Sequence, residues 1–130
     1  MCSSDLIAPP MRLCRTEDGT THPFVQLVGR MFAEPNSSVQ SMIKARFESL
    51  FQRFNRAFQA ALPGVRKKEF YWRLHFLLGA MSLTLCDRQR PALWSDGACD
   101  PEDIDEVIAQ LVTFVAAGMR AEVAKKRRKR

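Results

Sequence analysis

The feature that most constrains this chain is a helical segment over residues 69–85 that is apolar on two opposite faces. At about 100° per residue, one face collects Phe70, Leu74, Leu77, Leu78, Met81 and Leu85. The opposite face carries Trp72, His75, Phe76, Gly79 and Leu83. A helix that only covers a core needs one apolar stripe, so two stripes require two partners. We therefore expect one face to line the interior of the fold and the other to meet a second subunit.

Length and composition favour one compact domain. A chain of 130 residues with 46% hydrophobic content is able to bury a core of its own. The uncharged stretch between Leu74 and Asp87 is too short to span a bilayer, and no secretory signal is recognisable. The four cysteines show no C-x-x-C spacing, which favours reduced thiols in a cytoplasmic protein over a zinc site or disulfides.

The net charge of the chain is concentrated at its C-terminal end. Residues 125–130 are all basic and carry a charge equal to the formal net charge of +6 of the whole chain. We predict that residues 121–130 form a disordered, solvated tail, and the alternative is a tail that contacts nucleic-acid phosphates. The remainder of the chain lacks the basic excess of a nucleic-acid-binding domain.

Start and stop signals divide the chain into five helical segments without a convincing strand. The first four are expected over residues 7–13, 23–34, 38–62 and 69–89, and the fifth begins near residue 100. Pro9 and Pro10 fit only the first turn of the first segment. The segments predict an all-α fold, a bundle of about five helices.

Capping residues mark the expected helix starts. Thr21 or His22 is the expected cap of the second helix, just before a proline in the first helical position. Ser37 and Gln40 have the S-x-x-Q spacing of a capping box at the start of the third helix. Asp100 is the expected cap of the last helix, where the following acidic residues suit the helix dipole.

The third predicted helix carries a stripe rich in phenylalanine. Core packing explains the stripe most simply, and the alternative is one wall of a pocket for an apolar ligand, because aromatic faces offer large contact areas. With the second helix and one face of the 69–85 segment, the stripe predicts an apolar effector pocket. Its predicted residues are Phe24, Leu27, Val28, Met31, Phe47, Phe51, Phe54, Trp72, His75 and Phe76.

Periodicity alone leaves open which face of the 69–85 segment points inward. We expect the face with Trp72, His75 and Phe76 to do so, because it alone offers polar tips. Trp72, His75 and Arg73 are then candidates to orient a ligand head group, and a fatty acid or an acyl thioester such as an acyl-CoA suits both features. A buried, satisfied histidine and a structural salt bridge of Arg73 are the simpler interpretations of two of these residues.

The last two helices are the predicted dimer interface. Gly79 and Gly118 lie inside them, where glycine costs about 1 kcal/mol relative to alanine, and close approach of another backbone explains that cost. We expect a four-helix interface with a twofold mate. Its predicted residues are Leu78, Met81, Leu85, Ile104, Ile108, Leu111, Val115 and Gly118.

Two stretches of the chain resemble the C-terminal domain of TetR-family transcriptional repressors. The first combines R-F-x-x-x-L-P, spread over residues 53–63, with E-F-Y-W-R-L-H-F-L-L-G-A at residues 69–80. The second, P-F-V-Q-L-V-G-R-M-F-A-E-P at residues 23–35, is similar to a helix of a branch that includes regulators of fatty-acid metabolism. The resemblance covers residues 7–120. It implies dimerisation through the last two helices and an inducer cavity among the earlier ones.

The resemblance also implies a DNA-binding domain that is missing here. TetR-family proteins begin with a helix-turn-helix domain, and nothing before Pro23 is able to form its three helices. We therefore expect DNA to be contacted only through a missing N-terminal domain. Residues 1–6, M-C-S-S-D-L, match the translation of a sequencing-adapter end read from a GTG start. We expect them to be non-native, and the alternative is a genuine short protein.

Neither catalytic residues nor a metal site is predicted. His75 has no serine, cysteine or carboxylate at helical i±3 or i±4 spacing, and the acidic residues at 100–106 are explained by capping. We predict no enzyme activity and no cofactor. The predicted function is effector sensing and homodimerisation in a TetR-family repressor that binds a small apolar ligand, without membrane contact. The alternative is a stand-alone helical interaction protein whose basic tail contacts nucleic acid.

Overall fold

The computed structural model describes residues 3–13 and 22–122, which form six α-helices and contain no β-strand. The helices are α1 (Ser3–Leu13), α2 (Pro23–Ala33), α3 (Ser37–Ala61), α4 (Lys67–Cys86), α5 (Gln89–Trp94) and α6 (Ile104–Arg120). The predicted all-α fold is confirmed. No helix in this part of the chain combines the length and the hydropathy needed to cross a bilayer. The basic residues 125–130 and the alternative cap Thr21 lie outside the described residues.

The core forms around α4 and α6. Helix α2 packs against α4, and α1 packs against α6. α3 adds Phe58 to the core, and α2 adds Val25. The remaining buried apolar side chains are Ile7, Met11, Phe70, Leu77, Met81, Leu85, Ile104, Ile108, Val115 and Met119. Most of this core therefore comes from the two helices that were predicted to form the dimer interface.

Helix α1 begins at Ser3, earlier than the predicted start near residue 7, so Pro9 and Pro10 lie inside it. The prediction that the prolines occupy the first turn is therefore wrong. A proline inside a helix costs about 3 kcal/mol or more, because it removes a backbone donor and clashes with the preceding turn. Ile7 and Met11 offset this cost, since both are fully buried and each such burial contributes about 1.5–3 kcal/mol.

Asn36, rather than Ser37, caps helix α3. Its side-chain oxygen accepts a hydrogen bond from the backbone N–H of Ser38 at 2.9 Å. The capping box of Ser37 and Gln40 does not form, because the Gln40 side-chain amide donates to the carbonyl oxygen of Glu34. Asparagine is among the strongest N-cap residues, so the helix starts one position earlier than predicted.

Helix α6 begins after Asp103, three residues later than predicted. The Asp103 carboxylate accepts a hydrogen bond from the backbone N–H of Glu106 at 3.0 Å. Asp100 accepts one from the N–H of Glu102 at 2.8 Å and so closes a turn before the helix. The stretch between the fourth and fifth predicted helices contains the short helix α5, whose first turn tolerates Pro91.

Helix α2 crosses α4 closely at Gly29. The helix is capped by His22 as predicted, since the Nδ1 atom of His22 accepts a hydrogen bond from the N–H of Phe24 at 3.2 Å. Gly29 is buried against α4. A Cβ atom at this position would lie 2.8 Å from the Cys86 sulfur and 3.3 Å from the carbonyl oxygen of Ser82. The absence of a side chain is thus what allows the two helices to approach each other here.

The close crossing predicts a penalty for any side chain at position 29. Gly29→Ala should lower the free energy of unfolding by about 1–3 kcal/mol, because the new methyl group has to displace the Cys86 sulfur and presses on the carbonyl oxygen of Ser82. Gly64→Ala is the matched control, since no atom lies within 4 Å of its Cβ position, and it should raise that energy by about 0.4–1 kcal/mol. Urea denaturation of both variants measures the difference. Equal stability of Gly29→Ala and wild type would contradict the crossing.

Candidate functional site

A groove of about 620 Å³ runs between α2, α3 and α4, and we call it the main groove. Its largest apolar lining residues are Phe32, Ile43, Phe51, Leu78 and Leu83. This volume falls within the range of about 300–1,000 Å³ that is usual for small-molecule pockets. The surface therefore suits an apolar ligand of moderate size.

Three phenylalanines cluster at one end of the main groove, where two of them, Phe32 and Phe51, line it. Phe32 of α2 lies 5.9 Å from Phe47 and 6.3 Å from Phe51 of α3, measured between ring centroids. Phe47 and Phe51 are themselves 6.3 Å apart. These tilted and edge-on contacts are favourable for aromatic pairs. The cluster holds α2 against α3 and fixes the shape of this end.

Polar groups line the main groove at two places. Lys44 and Gln40 line the groove from α3, and the Gln40 side chain contacts Glu34 just after the end of α2. His75 and Ser82 belong to α4, and Ser82 is buried while His75 is exposed. Lys44 is exposed and brings a positive charge to a surface that is otherwise largely apolar. The arrangement is able to hold an apolar chain and to pair with an acidic head group.

Two of the ten residues predicted for the pocket, Phe51 and His75, line the main groove. Phe47 supports it through its contact with Phe32, and Phe54 packs against the core. On α2, Phe24 and Leu27 are exposed. The predicted residues that do not line the main groove are Phe24, Leu27, Val28, Met31, Phe47, Phe54, Trp72 and Phe76.

Helix α4 is rotated about its own axis so that a different face points inward from the one that the sequence analysis predicted. Trp72 and Phe76 remain 55% and 61% exposed, so the prediction that their face points inward is wrong. The opposite face, with Met81 and Leu85, is buried in the core. Burying polar tips such as those of Trp72 and His75 without partners costs free energy, whereas the aliphatic face has no such cost. His75 reaches the main groove from its edge.

Most residues predicted for the dimer interface pack against other residues of the same chain. Leu78 lines the main groove, Leu111 is half-buried and Gly118 is exposed. The other five are buried in the core and offer little surface to a partner: Met81, Leu85, Ile104, Ile108 and Val115. Part of the predicted surface thus belongs to the core, while the choice of the two helices stays a prediction.

α4 and α6 nevertheless leave a set of apolar residues uncovered, which we call the outer face. It consists of Trp72, Phe76, Gly79, Leu83, Phe114 and Gly118. A depression of about 110 Å³ between the two helices is lined by Phe76, Phe114 and Gly118, among others. No atom lies within 4 Å of the Cβ positions of Gly79 and Gly118. Contiguous exposed apolar surface of this kind usually marks an interaction site.

Aromatic stacking orders part of the outer face. The rings of Trp72 and Phe76 are stacked, with centroids 5.9 Å apart and planes at 27°. His75 stands edge-on to both rings at 6.0 Å. Three rings on two successive turns of α4 therefore support one another before any partner binds, which lowers the entropic cost of association.

Arg73 joins α4 to the end of α6. Its guanidinium donates hydrogen bonds to the carbonyl oxygens of Met119 and Ala121. The predicted salt bridge is thus replaced by a cap on a helix C-terminus, where a positive charge also suits the helix dipole. Arg73 is committed to this contact and does not line the main groove.

Several groove residues were not identified from the sequence. Phe32 follows Val28 by four positions, so the apolar face of α2 could have included it. Lys44 precedes Phe51 by seven positions and therefore shares its helical face. Ser82 and Cys86 reach the groove from α4, and only the rotation of that helix shows this.

Sequence comparison identifies the family of this helical domain. The family model described as the tetracyclin repressor-like C-terminal domain matches residues 5–118. The chain belongs to this family, and the resemblance to TetR-family regulators is confirmed. Such domains belong to transcriptional regulators, typically dimerise and bind small-molecule effectors. No curated protein and no solved structure matches the chain.

Because Arg73 caps α6 and does not line the main groove, substituting it should change the stability of the domain and leave ligand contacts unaffected. Arg73→Met keeps the aliphatic stem but removes the donors, so we expect the free energy of unfolding to fall by about 1.5–3 kcal/mol. Arg53→Met on the exposed side of α3 is the control and should change it by less than about 0.5 kcal/mol. Thermal and urea denaturation measure both. Equal effects of the two substitutions would argue against the cap.

Proposed function

We propose that this chain is the effector-sensing and dimerising domain of a TetR-family transcriptional repressor, and that the main groove binds a small apolar acid. The observation that carries the proposal is the combination of an aromatic and aliphatic groove with the positive charge of Lys44 at its rim. A fatty acid or an acyl thioester has the matching chemistry, an alkyl chain joined to an anionic group.

The walls of the main groove favour the alkyl part of such a ligand. Phe51 and Ile43 lie on α3, and Leu78 lies on the facing side of α4. Each apolar carbon that moves from water into the groove contributes up to about 0.8 kcal/mol. A chain of several methylene groups therefore gains enough free energy to offset the loss of its own freedom.

The rim of the main groove favours the acidic part. A carboxylate near Lys44 stays partly hydrated and gains a charge-assisted hydrogen bond, so neither charge is buried unpaired. His75 and Ser82 offer further hydrogen-bonding groups along α4. Glu34 also lines the groove, so a bound carboxylate has to lie closer to Lys44 than to the Glu34 carboxylate.

We propose the outer face as the surface where two copies of the chain meet. Phe76 of α4 and Phe114 of α6 are both more than half exposed, and a twofold axis would bring both helices of each copy into one four-helix contact. Gly79 and Gly118 leave room for a partner's backbone. In the complete repressor, the effector would alter the spacing of two N-terminal DNA-binding domains in the cytoplasm. The basic-tail alternative stays a prediction.

The first test concerns the acidic head group. Lys44→Gln should weaken the binding of dodecanoic acid about tenfold, the equivalent of one lost charge-assisted hydrogen bond, and leave dodecanol binding unchanged. Lys67→Gln, an exposed position in the first turn of α4, is the matched control. Isothermal titration calorimetry measures all three proteins. Equal losses for acid and alcohol would assign Lys44 a structural role only.

The effector proposal as a whole fails if the wild-type protein binds no compound of this class. A panel of fatty acids, acyl thioesters and aromatic acids is titrated, and the melting temperature is recorded for each. A ligand that binds only the folded state raises the melting temperature with its concentration. No shift across the panel would mean that the main groove is not an effector site.

The second test concerns the outer face. No atom lies within 4 Å of the Cβ position of Gly118, so we expect the Gly118→Leu monomer to keep its stability, whereas the dimer should weaken because two backbones are forced apart. Gly64→Leu, also in open space but outside α4 and α6, is the control. Sedimentation equilibrium gives the dimer dissociation constant of each protein. An unchanged constant for Gly118→Leu would exclude Gly118 from the interface.

A further inference from the structure

We infer that the second copy of the chain completes the main groove, so that a full binding site exists only in the dimer; this inference rests on the proposed function. The reason lies in one edge of helix α4. Leu83 and Gly79 line the main groove and also belong to the outer face. The open side of the groove and the proposed dimer surface are therefore continuous.

The continuity follows from helix geometry. His75, Gly79 and Leu83 are spaced by four residues, so they form one row along α4. Phe76 lies in the neighbouring row and faces the depression beside α6. Side chains in adjacent rows of a helix lie close enough to touch a common partner. A protein segment that covers Phe76 therefore also reaches Gly79 and Leu83.

A second copy has the size to cover both rows. Packed helices lie about 8–10 Å apart axis to axis, and a helix with its side chains is about 10–12 Å wide. A partner helix resting on Phe76 and Phe114 would extend over the row of Gly79. Gly79 has no atom within 4 Å of its Cβ position, so a partner's side chain or backbone has room at the groove edge.

The partner would then cover the apolar part of a bound ligand and leave its head group in solvent. Leu83 is 52% exposed in the single chain, and Leu78 and Ser82 beside it form the floor of the groove on α4. Lys44 lies on α3, across the groove from this edge. Dimerisation thus removes further alkyl surface from water without burying the charge, so ligand binding and dimerisation strengthen each other.

The experiment separates dimerisation from the groove itself. Phe114→Glu places a charge on the outer face but on α6, where residue 114 does not line the main groove. We expect a folded, monomeric protein, checked by circular dichroism and sedimentation, whose dissociation constant for dodecanoic acid is at least about tenfold higher than that of wild type. Ala109→Glu, an exposed position on another side of α6, should remain dimeric and bind as wild type does.

The outcomes that overturn the inference are distinct from failure of the proposed function. A Phe114→Glu monomer that binds dodecanoic acid as tightly as wild type shows that a single chain forms the complete binding site. A Phe114→Glu protein that stays dimeric shows that the partner does not rest on the outer face. Absence of binding to wild type overturns the proposed function itself.

A second measurement decides the case in which Phe114→Glu does not fold. The dimer dissociation constant of wild type is measured with and without saturating dodecanoic acid. Because coupling is reciprocal and each dimer would carry two sites, a tenfold effect at each site should tighten the dimer about a hundredfold. An unchanged dissociation constant would overturn the inference.

Discussion

The rotation of helix α4 about its own axis is the constraint on which the other features depend. Phe70, Leu77 and Met81 are buried on one side, which fixes this rotation. The close crossing at Gly29 then sets where α2 lies against α4. With both fixed, one flank of α4 faces α3 across the main groove, and the far side remains uncovered. A different rotation would remove the groove and the outer face together.

This arrangement offers a direct physical route from ligand to quaternary structure. The groove and the outer face meet along Gly79 and Leu83, so no chain of intermediate residues is needed to connect them. A ligand acts on an equilibrium only through a difference in affinity between its states. In our proposal that difference is the partner's contact with the bound chain, which the monomer lacks. Sensing and dimerisation would then be properties of the same helix.

The sequence predicted the all-α class, the two-faced helix and most helix positions, because these depend on local periodicity and capping. Periodicity identifies two faces but not their directions, so the outward position of Trp72 and Phe76 required the tertiary structure. The prolines of α1 show the same limit of prediction from local sequence. Proline disfavours a helix interior, but the burial of Ile7 and Met11 outweighs this preference. Because Lys44 shares a helical face with Phe51, its position in the groove could have been predicted from the sequence. The position of Ser82 could not, because it depends on the rotation of α4.

The most direct test of this account is a crystal structure with 12-bromododecanoic acid, in which anomalous scattering locates the end of the alkyl chain. We predict the bromine near Leu78 and Leu83, the carboxylate within reach of Lys44, and a second copy of the chain packed on Phe76 and Gly79. A bromine peak away from the main groove, or a dimer that leaves the outer face of α4 in solvent, would contradict the account.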